Sequence, residues 1–228
     1  FRPSYLELPK LREQLPEVPI LALTATATSE VVEDIKRVLH FRPGYAFYQK
    51  SFLRPNISYS IRRSDDKPAM MRFILSRVEG AAIIYCRNRQ LCQTVSEALL
   101  AEGISATYYH AGLTYTEREM RQGRWMRGEV RVMVATNAFG MGIDKPDVRL
   151  VIHLTMPSSL EEYYQEAGRA GRDGEHSYAV AIVGSQDSRM LHRRLQDTFP
   201  EKEYIREVYD QICNFLAIGE GEGLDRTY

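Results

Sequence analysis

The stretch that decides the fold is Val130-Arg131-Val132-Met133-Val134-Ala135-Thr136-Asn137-Ala138-Phe139-Gly140-Met141-Gly142-Ile143-Asp144. Its opening run, 130–135, is dense in β-formers, as in a strand of a parallel sheet whose two faces are both covered by helices. Residues 136–144 are by contrast small, polar and glycine-rich. In open α/β sheets the carboxyl ends of the strands are where ligands bind. Gly140 and Gly142 permit close backbone approach, while Thr136 and Asp144 set a hydroxyl and a carboxylate at that edge. A plain strand-to-turn connection, with Asp144 turning the chain before Lys145-Pro146, is the competing account.

The same alternation of strand and helix extends in both directions, which is the signature of α/β architecture. Strands are expected over 81–85, 105–109, 150–154 and 177–183, and helices over 69–78, 89–101, 116–127 and 160–168. Upstream, 19–24 reads as a buried strand, 30–39 as a helix capped by Ser29, and 45–49 and 57–61 as strand-like runs. Ser51-Phe52-Leu53-Arg54-Pro55-Asn56 and Arg62-Arg63-Ser64-Asp65-Asp66-Lys67-Pro68 carry turn and linker chemistry, so a domain boundary is expected within 50–66. Downstream, 189–195 and 201–216 read as helices.

Composition bounds the function classes. The 228 residues are 44% hydrophobic and 26% charged, the mix of an ordinary globular chain. With 30 Lys and Arg against 30 Asp and Glu, net charge is zero, so composition alone gives no broad electropositive field for nucleic acid. No run approaches the ~18 apolar residues of a membrane span. Cys86, Cys92 and Cys213 are odd in number and irregular in spacing, which argues against a disulfide framework or a four-ligand zinc site and for a reducing compartment. The chain begins at Phe1 without a Met, and a cut-down piece is expected.

Chemistry gathers in four segments. In Tyr164-Gln165-Glu166-Ala167-Gly168-Arg169-Ala170-Gly171-Arg172-Asp173-Gly174, overlapping Ser-x-x-Glu signatures from Ser158 and Ser159 start a helix. It should end at Gly168 and leave two arginines on a glycine-rich turn. Their planar forks match phosphate oxygens; offsetting the helix dipole is the bland alternative. The 136–144 loop is the second segment. Thr24-Ala25-Thr26 follows a strand with more hydroxyls than capping needs. In Tyr85-Cys86-Arg87-Asn88-Arg89, phosphate contact and helix capping by Asn88 are equally good local accounts.

In this order and spacing, the four segments resemble the motifs of superfamily-two helicases, specifically the RecQ family of DNA helicases. Thr24-Ala25-Thr26 is similar to motif III, which couples nucleotide state to unwinding. Ile84 to Arg89 is similar to motif IV, Tyr109-His110-Ala111-Gly112-Leu113 to the segment often called IVa, Val134 to Pro146 to motif V and Tyr163 to Gly174 to motif VI. The resemblance covers roughly residues 1–195 and implies a RecA-like parallel sheet with helices on both faces. On that basis 1–49 is the C-terminal remnant of a first lobe carrying motif III. Residues 50–66 are then the interlobe linker, 67–198 the second lobe and 199–228 a helical extension.

The resemblance also implies roles. Arg172 matches the arginine finger on the γ-phosphate, Arg169 and Gln165 match phosphate-sensing positions, and Asp144 and Gly142 lie near the nucleotide. Thr136, Arg87, Asn88 and Arg89 match the strip that tracks the single strand. His110, Trp125, Met126, Tyr163 and Tyr164 are read as packing. The expected substrates are ATP with Mg²⁺ and single-stranded or forked DNA. No zinc, no membrane and a cytoplasmic (in a bacterium, nucleoid-associated) location are expected.

The sequence contains neither a Gly-Lys nor an Asp-Glu dipeptide, so it lacks both the Walker A lysine and the acidic Mg²⁺ box. It would supply a finger without the phosphate-binding hand. The isolated chain is therefore expected to lack ATPase activity, and 1–49 to be disordered or to self-associate by edge pairing, against which a monodisperse monomer would count. An RNA helicase of the DEAD/DEAH groups and a non-catalytic single-strand-binding module are the competing classes.

Overall fold

The computed structural model describes residues 7–24, 27–51, 53–140 and 143–216. In chain order it contains α1 (Pro9–Gln14), α2 (Ser29–Val38), β1 (Ile57–Arg63), α3 (Lys67–Arg77), β2 (Ala81–Tyr85), α4 (Arg89–Ala101) and β3 (Ala106–Tyr109). Then come α5 (Tyr115–Met126), β4 (Val132–Ala135), β5 (Val148–His153), α6 (Leu160–Ala167), β6 (Ser177–Val183), α7 (Asp187–Thr198) and α8 (Lys202–Leu216). The strands form one sheet in the order β1-β6-β5-β2-β4-β3, parallel throughout.

Because successive strand residues point to opposite faces, the continuous apolar runs feed two cores. Ile84, Val132, Val134 and Ile152 join Leu75 of α3 and Leu99 of α4 on one face. Ile83, Met133 and Val151 join Trp125 of α5 and Ala167 of α6 on the other. Burial of each such aliphatic side chain stabilises the fold by about 1.5–3 kcal/mol. Trp125 is fully buried, and its indole N–H donates to the Ala82 carbonyl at 3.3 Å. From β2 the chain steps out to β3, returns through β4, then crosses to β5 and β6. The reversal brings the loops after β2, β4 and β5 together at one edge, the place such sheets reserve for ligands.

Of the upstream strand readings, one is met and two are corrected. Residues 57–61, read as a strand-like run inside the expected 50–66 boundary, form β1 together with 62–63, parallel to β6 from Ile57↔Ser177 to Arg63↔Val183. The edge of β6 carries main-chain donors and acceptors that need a partner. An edge strand can supply one while burying only Ile57, which is why β1 tolerates so polar a sequence. By contrast, 19–24 and 45–49 form no strand among the described residues. Leu21 and Leu23 are 80% and 83% exposed, because an extended segment with no neighbouring strand completes no ladder and covers no core. The helix between them does form, capped by the Thr28 hydroxyl, which accepts from the Val31 N–H at 3.3 Å, rather than by Ser29.

Beyond β6, α7 is anchored at its start. The Asp187 carboxylate is buried, accepts from the Gly184 N–H at 2.6 Å and pairs with Lys67 at 2.7 Å. In α8, Cys213 is the buried residue, while Tyr204, Ile205, Ile212 and Phe215 are exposed. No helix among the described residues is long and apolar enough to cross a membrane.

Candidate functional site

Helix α6 sets the site. The Ser159 hydroxyl accepts from the Glu162 N–H at 3.1 Å, and the Glu162 carboxylate accepts from the Ser158 N–H at 2.6 Å. That carboxylate also accepts from the Asn137 amide at 3.0 Å, tying the start of α6 to the loop after β4. In the last turn of the helix, Glu166 meets His153 of β5 at 2.9 Å, both buried. The His153 ring lies parallel to Tyr85, with centroids 5.4 Å apart. This buried contact fixes the roll of α6 on the sheet and so the direction in which its end presents Gln165 and Arg169.

The helix stops at Gly168, and the next turn carries both arginines. Arg169 donates from Nη1 to the Gly140 carbonyl at 2.6 Å; its Nε is buried without a partner. A Cβ on Gly140 would lie 2.1 Å from Arg169 Nη2, so a glycine is what seats this guanidinium. Arg172 donates from Nη1 to the Ile143 carbonyl at 2.8 Å and to Asp144 Oδ1 at 3.0 Å. Both contacts use one nitrogen, so neither engages Nη2 or Nε. Behind them the Tyr85 hydroxyl donates to the Phe139 carbonyl at 3.1 Å. Burial pushes its pKa well above the ordinary tyrosine value, against the opposing pull of Arg169, so it stays a donor.

Together these groups form one wall of a cleft of about 980 Å³. Gly140, Asp144, Gln165, Arg169 and Arg172 line that wall, and Thr24, Ala27, Val32 and 47–51 line the other. The structure therefore gathers Gln165, Arg169, Arg172, Asp144 and Thr24. Gly142, Ala25 and Thr26 lie outside the described residues. The cleft offers planar cationic donors and a small-residue floor, which suits a polyphosphate. Among the described residues no group of three or more His, Cys, Asp and Glu could hold a metal ion.

The four nucleic-acid candidates lie apart from this cleft. Arg87 lines a smaller cavity of about 190 Å³ with Asn137, Glu162 and Arg194. Burial, and then the Arg87 charge, lower the Arg194 pKa from its ordinary value. Neither Arg87 nor Arg194 makes a hydrogen bond or ion pair among the described residues. Asn88 is an N-cap, its side-chain oxygen accepting from the Leu91 N–H at 2.8 Å. Arg89 lies over Gly112, whose Cβ would meet its Nη1 at 2.6 Å. Thr136 is buried, its hydroxyl turned to the Ala138 N–H at 3.4 Å. His110 is packed with Tyr108, ring centroids 5.5 Å apart, and burial lowers its pKa.

Sequence reasoning missed Arg54, Asn56 and Arg194. Arg54 and Asn56 read as linker chemistry, but both hold the arginine-bearing turn. No local pattern marks them, since their partners lie 114 to 119 residues away.

Residues 66–174 match the helicase conserved C-terminal domain. The chain is 41% identical over 219 residues to ATP-dependent helicase SGS1 of Saccharomyces cerevisiae, covering 95% of this chain and 15% of that protein. It is 43% identical over 221 residues to ATP-dependent DNA helicase RecQ of Pasteurella multocida, covering 96% and 34%. The chain thus spans about a third or less of the length of these relatives. A solved structure of S. cerevisiae Dbp5 bound to RNA and ADP BeF3 superposes with a TM-score of 0.66 at 21% identity, covering 84% of this chain and 52% of that one. At that identity it is the fold that is shared, a RecA-like lobe. With the helicase domain matched from α3 through the arginine-bearing turn after α6 and about 40% identity along nearly the whole chain, this protein belongs to the RecQ family of helicases.

Proposed function

We propose that this chain is the second motor lobe of an ATP-dependent 3′→5′ DNA helicase, with Arg172 as its arginine finger. One observation carries this reading: Arg169 and Arg172 are latched to the main-chain carbonyls of Gly140 and Ile143 and line a shared cleft. ATP fits between this wall and a first lobe. Arg172 would present its free edge to the γ-phosphate and neutralise charge developing there, while Arg169 and Gln165 would read the same phosphate. Asp144, 84% exposed at its side chain, holds Arg172 in the meantime. An exposed pair of this kind contributes at most about 1 kcal/mol, small beside the 10³–10⁵ in rate, about 4–7 kcal/mol, that a finger supplies. Asp144 therefore parks the finger without trapping it. Gly142, two residues before Asp144 in the sequence, is the further residue of this stretch proposed for the nucleotide.

Walker A and acidic-box residues, absent from this sequence, would hold the β/γ-phosphates and Mg²⁺. By itself the 228-residue chain would then bind single strands weakly and turn over no ATP. On the DNA side, Arg87, Arg194 and Arg89 supply unpaired cations to a single strand or fork. Asn88 contributes by ordering the start of α4, Thr136 by shaping the end of β4, and Thr24-Ala25-Thr26 by coupling cleft closure to strand movement.

The test is Arg172→Ala in the intact two-lobed protein. ATP binding should persist while DNA-stimulated hydrolysis falls by on the order of 10³ or more. Turnover within about tenfold of wild type would exclude the finger.

A further inference from the structure

We infer that Arg54 is a positioning residue for this reaction: it clamps the turn that carries Arg169 and Arg172 and thereby aims the finger. The inference deepens the proposed function and rests on the reading of Arg172 given there.

The guanidinium of Arg54 spans the end of α6. Its Nη1 donates to the Gly168 carbonyl at 3.3 Å, and its Nη2 to the Ala170 and Gly171 carbonyls at 3.3 and 2.8 Å. These are carbonyls at and just beyond a helix C-terminus, where intrahelical partners run out and the dipole is negative. They also belong to the peptide units directly before Arg169, directly before Gly171 and directly before Arg172. Fixing those peptide planes fixes the directions in which both side chains leave the backbone.

Asn56 completes the clamp. Its amide donates to the Gly171 carbonyl at 2.7 Å and to the Glu175 carbonyl at 3.0 Å. Gly171 has a φ of +54°, and a Cβ there would lie 2.5 Å from the Asn56 amide nitrogen, so the turn is shaped to admit this contact. The clamp stands on a firm base. The Ile57 N–H donates to the Arg54 carbonyl at 3.0 Å, and the Ser177 N–H to the Asn56 carbonyl at 2.9 Å, just where β1 joins β6.

Two further facts separate this from ordinary surface arginine chemistry. Arg54 makes no ion pair among the described residues, so its charge is committed to main-chain dipoles. It also lines the cleft itself, three residues beyond Ser51 of the opposite wall. A lysine cannot replace it, because a point-charge ammonium lacks the planar fork that reaches several acceptors at once.

The experiment compares Arg54→Ala, Arg54→Lys, Arg172→Ala and the Arg54→Ala/Arg172→Ala pair in the intact two-lobed helicase, at saturating single-stranded DNA. Arg54→Ala should lower kcat by about 10–100-fold, since misplacement by about 1 Å costs that much, and KM for ATP should stay within about twofold. Arg54→Lys, which keeps the charge and guards against loss of folding, should still lose at least about tenfold. In the Arg172→Ala background, Arg54→Ala should cost little more, because its effect passes through the finger. Wild-type kcat in folded Arg54→Lys, or full additivity in the pair, overturns the inference while leaving the finger in place. Arg172→Ala with near-wild-type turnover instead removes the finger reading, and the inference with it.

Discussion

Adding one methyl group at Gly140 probes the seat of Arg169 directly. The φ of Gly140 lies outside the left-handed region, so alanine brings no backbone strain there. Its Cβ would, however, stand 2.1 Å from Arg169 Nη2 and 2.7 Å from Cζ, so the guanidinium must retreat by on the order of 1 Å. It then gives up the 2.6 Å bond to the Gly140 carbonyl, a charge-assisted contact of about 1.5–3 kcal/mol, part of which water recovers in the open cleft. Folding should survive, with a loss of about 1–2 kcal/mol by urea titration. Hydrolysis should not, because a displacement of that size costs about 10²-fold where catalysis depends on placement. The assay is steady-state ATP turnover by intact Gly140→Ala helicase on saturating DNA, run beside Arg169→Ala and the double variant. The double should be no worse than Arg169→Ala alone. A Gly140→Ala enzyme with kcat within about threefold of wild type, or a double variant whose losses add, would refute the assignment of Arg169 to the site.

Three other outcomes rest on the same geometry. Arg87→Ala and Arg194→Ala should each weaken single-strand binding irrespective of sequence and flatten the slope of log K against log salt by about 0.7; fluorescence anisotropy showing an unchanged slope excludes a phosphate contact there. His153→Ala leaves the buried Glu166 without its 2.9 Å hydrogen-bond partner, so stability should fall by about 1–3 kcal/mol in urea, and a loss below about 0.5 kcal/mol would mean the pair does not fix α6. His110 has its pKa lowered from 6.5, by burial first, with Arg89 and Arg121 adding and Glu117 opposing. The folded state thus binds the proton less well than the unfolded chain. Its stability contribution is complete above pH 6.5 and is lost as pH falls below it, so His110→Gln should flatten denaturation midpoints measured between pH 7 and 5, and an unchanged profile would place the titration elsewhere.

The sheet was legible because its signals are local. Ile83-Ile84, Val132-Met133-Val134 and Val151-Ile152 are buried on both faces and so read as unbroken apolar runs. The caps are local too: Asn88 and Ser159 each satisfy an N–H three residues ahead. What a distant neighbour decides was not legible. The strand character of 57–61 was readable but its pairing with β6 was not, and 19–24 formed no strand because none lay beside it.

Arginine shows the limit most sharply. Arg131 donates to the Gly80, Leu75 and Val78 carbonyls and Arg54 to those of Gly168, Ala170 and Gly171; each spends three of its bonds on main chain at the end of a helix. Arg172 keeps an edge of its fork unengaged, and Arg87 and Arg194 make no hydrogen bond among the described residues. Arginines of the second kind keep a whole edge of the fork to offer a phosphate. Yet the acceptors that distinguish the kinds are backbone carbonyls, which every residue carries and no sequence pattern marks. A glycine-rich turn can announce that arginines are needed at 169 and 172. It cannot announce that a third, more than a hundred residues earlier, holds the turn still, and for that reason Arg54 read as linker.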